Sequence, residues 1–144
     1  MTHRRPTIEE ILQEFFSARL TGKVGLTRHR IEAVEERLRA CIESEAERIL
    51  VDQDLLVLAA EREFDPVNPV ARVMHADDLV FILSIFVTTP WLPEDSVQCR
   101  RHLQLTDALT GHLLARRLVD QEGLICPLLD IRAGISQGRR ALRH

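Results

Sequence analysis

The chain has no tyrosine, one tryptophan and, among nineteen basic residues, a single lysine, Lys23. With tyrosine absent and the phenylalanines confined to apolar stripes, no aromatic side chain alternates with basic ones, an arrangement that single-stranded nucleic acid uses for base stacking. The shortage of lysine reads most simply as the mark of a GC-rich coding sequence, although arginine also suits bidentate pairing better than lysine does. No apolar run approaches the ~20 residues that cross a bilayer. The opening Met-Thr-His-Arg-Arg-Pro leads into acidic residues and not into an apolar signal core. The expectation is a soluble, cytoplasmic protein without a membrane partner. Cys41, Cys99 and Cys126 are an odd number with no close pair, which argues against a secreted disulfide framework. A formal charge of −3 supplies neither a strong nucleic-acid footprint nor an acidic tail.

What is present is helical periodicity. Thr7 and Glu10 form a capping-box pattern after Pro6, and Ile8, Ile11, Leu12, Phe15 and Phe16 fall on one face of a first helix that Thr21-Gly22 ends. Thr27 reads as the N-cap of a long second helix reaching about Val51, with the stripe Ile31, Val34, Leu38, Cys41, Ile42 and Ile49. A break is expected at Asp52 to Asp54, and Leu55 to Ala60 then favour helix again up to Asp65-Pro66. Asn68-Pro69 reads as a cap with proline at the first helical position, opening a short turn through Met74.

From Leu79 to Val87 only Ser84 interrupts the apolar residues. A helix apolar on all sides belongs inside, since each bulky group left in water costs about 1.5 to 3 kcal/mol. Asp77 and Asp78 suit the positive end of its dipole, and Thr89-Pro90 closes it. Glu94 to Gln121 reads as one helix or two, with the joint at Leu105-Thr106-Asp107. Gly111 weakens it by about 1 kcal/mol unless two helices approach there. Gly123 is read as a C-terminal cap, Pro127 as the start of a last short helix through Ile131, and Gly134 and Gly138 as loosening the tail. No segment alternates like a strand. The fold class expected is therefore all-α, a single domain over 1–144, a bundle of five to seven helices around a buried central helix at about 77–88, with 1–6 and 136–144 as loose tails.

Residues 7 to 50, a capped helix, a glycine-bounded turn and a second helix opening Leu-Thr-Arg-His-Arg, resemble the helical core-binding region of tyrosine recombinases. The catalytic nucleophile of that family is a tyrosine, which this chain does not contain, so no activity is carried over from the resemblance.

Chemistry is harder to place. Cys99 and His102 share a helix face, but two ligands do not make a zinc site, and His75, His112 and Cys126 are scattered. No serine or cysteine is set beside a base in a Gly-x-Ser-x-Gly elbow or a glycine-rich setting, and no phosphate-binding glycine loop is found. No catalytic residue, metal or cofactor is expected, and a small-ligand or metal-binding pocket using His75, Cys99 or His102 is the least favoured reading. The first reading is a non-enzymatic protein acting through association, as a homo-oligomer or with a protein partner, through Leu55, Leu56, Trp91 and Leu92, where apolar surface exceeds what a small core needs. The alternative is a nucleic-acid accessory protein using Arg28, Arg30, Arg100, Arg101, Arg116 and Arg117.

Overall fold

The computed structural model describes residues 5–143, and among these it is built of helices alone: α1 (Ile8–Leu20), α2 (Gly25–Glu45), α3 (Asp52–Phe64), α4 (Pro69–Val73), α5 (Ala76–Phe86), α6 (Ser96–Ala115) and α7 (Ile125–Ala141), with one 3-10 turn at Ala46–Arg48. The capping box is present: Glu10 N–H donates to the Thr7 hydroxyl at 3.2 Å and Thr7 N–H to the Glu10 carboxylate at 3.4 Å. All five apolar residues assigned to the first helix are buried.

The second helix starts earlier than its expected Thr27 cap. Gly22 and Gly25 both have positive φ, at 76° and 60°, so the chain turns on glycines and enters the helix directly behind Val24, without a side-chain cap. It also stops earlier, at Glu45, and the break before α3 falls at residues 49–51, just ahead of the expected Asp52 to Asp54, which form the first turn of α3. The short α4 takes its cap from a distance. Asn68 is left-handed (φ 50°) and makes no side-chain cap bond, while the Glu43 carboxylate on α2 accepts the Val70 and Ala71 N–H groups at 3.0 and 3.1 Å. A charged acceptor thus satisfies two of the otherwise orphan donors of a helix start.

The expected central helix is in the centre: α5 packs against α7, α2, α1 and α6, burying Leu79, Val80, Ile82, Leu83 and Phe86. Phe81 is the exception on its apolar surface, 39% exposed. Asp78 accepts the His75 N–H at 3.3 Å, and burial pushes its carboxyl above the usual range.

The segment after it is one helix. Thr106, the suspected new cap, lies buried inside α6 and donates its hydroxyl to the His102 carbonyl at 2.8 Å, the back-bond open to a mid-helix threonine. The helix ends at Ala115, short of Gln121, in a pair of bonds from Arg117 N–H to Leu114 O and Leu118 N–H to Leu113 O. The left-handed residue of this Schellman turn is Arg117 (φ 55°), not a glycine. Gly123 does not cap a helix end; it belongs to the turn that leads into α7.

The largest correction is the last helix. Residues 136–141, expected as a loose tail, are the final turns of a 17-residue α7. Gly134 and Gly138 do not loosen it: a Cβ at Gly134 would lie 2.3 Å from Val87 Cγ2, and one at Gly138 2.8 Å from Leu103 Cδ1. Their lack of a side chain lets α7 seat against α5 and α6. Of the expected loose ends, residues 1–4 and 144 lie outside the described residues. No helix among the described residues is long and apolar enough to cross a membrane.

Candidate functional site

The helix α3 has apolar residues on two opposite sides. Leu58 is buried, with Leu55 half-buried against the core beside it. On the other side, Leu56 is 73% exposed, Val57 48% and Phe64 85%. With Ala60 these fall within about 100° of the helix circumference. The eight exposed residues of α3 are Asp52, Gln53, Leu56, Val57, Ala59, Ala60, Glu63 and Phe64, of which none is basic. Val51 and Val67, just outside the two ends, are exposed as well.

This helix is held at its C-terminal end by Arg72 of α4, which pairs with Glu61 and donates to the Asp65 carbonyl at 2.6 Å and the Val67 carbonyl at 2.8 Å. Arg62 pairs with Glu47 at 3.0 Å. The outward stripe is therefore presented on a fixed support.

Trp91 and Leu92 do not join it. Both are half-buried and pack against the core. The Trp91 indole N–H donates to Glu45 at 3.2 Å, and Arg37 donates to the Trp91 carbonyl. Of the association residues, Leu56 alone stands free on the surface, and Leu55 faces in. Phe64 and Val67 were missed, although Leu56, Ala60 and Phe64 recur at intervals of four.

The six candidate arginines are divided between the two ends of α6. Arg30 pairs with Asp95 at 3.2 Å and bonds Gln98, placing the start of α2 beside the start of α6. Arg101 bonds Gln104 at 3.1 Å, and Arg28 donates to the Leu20 carbonyl at 3.2 Å. Arg116, at the opposite end, pairs with Glu14 at 2.6 Å. Arg100 and Arg117 are exposed and have no partner among the described residues.

Against known proteins, no family model, curated protein or solved structure matches this chain. The likeness of residues 7 to 50 to recombinase core-binding regions thus remains one of helix pattern.

Cys99 and His102 are both buried, and no group of three or more metal-ligating side chains occurs among the described residues. His102 stacks on Phe86, ring centroids 3.9 Å apart, with Nε2 2.8 Å from the Phe86 carbonyl. That contact makes Nε2 the protonated nitrogen, and Nδ1 is buried without a partner among the described residues. Burial drives its pKa down to about 4, with the Phe86 bond opposing and the Arg37 charge assisting. Burial raises the Cys99 thiol and takes that of Cys41 to about 12, so both stay protonated at neutral pH. His75 caps α5 and pairs through its backbone with Thr7.

One string does spell Gly-x-Ser-x-Gly: Gly134-Ile135-Ser136-Gln137-Gly138. It lies inside α7 with no strand before it, Ser136 is exposed, and both glycines are packing contacts. A nucleophile elbow is a strained strand-to-helix turn, so the match is to the letters alone.

Proposed function

We propose that this chain is a non-enzymatic helical protein that acts by protein association, pairing with a second copy of itself through the outward face of α3. The observation that supports this is the stripe of Leu56, Val57, Ala60 and Phe64, continuous along one side of a helix whose other side already serves the core. Single exposed apolar residues are ordinary, whereas a contiguous row on a supported helix marks an interaction surface. Ala59 and Ala60 leave room for a partner helix to approach closely, and burying Leu56 and Phe64 stabilises the contact by about 1.5 to 3 kcal/mol each.

Light scattering on a sizing column over a range of concentrations tests this. The wild type is expected to exceed the 16.5 kDa of one chain as concentration rises. Leu56→Ser and Phe64→Ser, both at exposed positions, should return it to monomer with unchanged helix content. A wild type that stays monomeric to millimolar concentration ends the proposal.

A further inference from the structure

The first half of α6 and the end of α7 form a groove of about 670 Å³ lined by Arg100, Gln104, Arg139, Leu142 and Arg143. Arg100 and Gln104 are four residues apart on α6, while Arg139 lies in the last turn of α7 and Arg143 two residues beyond its end at Ala141. Arg100 and Gln104 are therefore stacked about 6 Å along the axis of α6 and on one face of it. Arg101 and Arg140 belong to the same two stretches. Among the described residues, the one carboxylate paired with any of these five arginines is Asp107, 3.4 Å from Arg139 in an exposed contact. This basic concentration occurs in a chain of net charge −3.

A structural reason covers part of it. Cations near the C-terminus of α7 complement its dipole. That does not account for Arg100, which enters the groove from the first two turns of α6, the end where the dipole favours negative charge. Arg139 and Arg143 are, in addition, like charges lining the same groove, a repulsion that a bound anion would relieve.

We propose that this groove binds the phosphate backbone of duplex nucleic acid without reading its sequence. Guanidinium groups match phosphate oxygens bidentately, and three of them line one open surface. No aromatic side chain lines it, so it lacks the stacking platform that single strands require. Contacts to phosphates alone position a protein on a duplex and carry no sequence information. The proposal is independent of the α3 face, since α3 packs on α4 whereas α7 packs on α5 and α6.

The experiment is fluorescence anisotropy of a labelled duplex of about 20 base pairs, titrated with the full chain at several salt concentrations between roughly 50 and 200 mM. Three phosphate contacts give a slope of log K against log salt of about −3, and a loss of roughly fortyfold across that range. Arg100→Ala, Arg139→Ala and Arg143→Ala each change an exposed side chain; each should weaken binding several-fold and make the slope shallower by about 0.9. Arg28→Ala and Arg116→Ala, outside the groove, should leave both unchanged. Absence of binding at the lowest salt overturns the proposal. So does an equal loss in the Arg28 and Arg116 variants, or tighter binding of single-stranded DNA or inorganic polyphosphate than of the duplex.

Discussion

His102 is the side chain whose environment most constrains its chemistry. Its folded pKa of about 4 lies below the unfolded value near 6.5, so the folded state binds fewer protons through that interval. The stability it contributes is complete above about pH 6.5, is lost as pH falls towards 4, and amounts to about 3 kcal/mol in all. Asp78 works in the opposite sense: its raised pKa, caused mainly by burial, contributes stability at low pH that is lost as pH rises. The comparison that isolates the histidine is urea unfolding at pH 7 and pH 4.5 for the wild type and His102→Gln, which keeps an N–H for the Phe86 carbonyl but does not titrate. The wild type should lose markedly more stability on acidification. Equal losses would show that the ring does not carry the acid sensitivity. Nothing in the local sequence announces this, because the stack on Phe86 and the bond to its carbonyl cross sixteen residues.

At the scale of elements, what was legible depended on range. The start of α1 is written within four residues, Thr7 to Glu10, and the core helix α5 is written in its unbroken apolar run. The two-sided character of α3 shows in Leu55 to Ala60. By contrast, α7 is hidden because Gly134 and Gly138 lower helix propensity locally, and only Val87, just past the end of α5, and Leu103 of α6 explain their use. Gly111 shows the converse: nothing lies within 4 Å of a Cβ built there, and the helix is regular. Alanine should therefore have opposite effects at two helical glycines. Gly111→Ala is expected to stabilise by about 0.5 to 1 kcal/mol, the propensity difference alone. Gly134→Ala is expected to destabilise by about 1 to 3 kcal/mol, because the added methyl meets Val87 at the C-terminal cap of α5 and forces α7 away from it. Chemical denaturation of the two variants decides it. Stabilisation at position 134 would mean that α7 does not seat on α5 as described. The basic groove was unreadable for the same reason as α7: Arg100 and Arg143 become neighbours only when α6 and α7 pack.

For the whole molecule, the two proposed surfaces differ in how they respond to salt. When the outward face of α3 meets its copy, Asp52 and Glu63 face carboxylates again, with no basic residue among the exposed positions to offset them. Each such pair costs a few tenths of a kcal/mol in water, and the net charge of −3 on each chain adds repulsion at longer range. Salt at about 0.15 M shortens the reach of these fields to about 8 Å and leaves the apolar contact of Leu56 and Phe64 intact. Self-association should therefore strengthen as salt rises, while binding of duplex to the α6 and α7 groove weakens steeply. Light scattering of the chain alone at low and high salt checks the first half: the average mass should increase with salt and should not respond to Arg139→Ala or Arg143→Ala. An average mass that falls with salt would mean that opposite charges hold the copies together. The contact would then have to draw its cations from outside the outward face of α3, whose exposed residues include none that is basic.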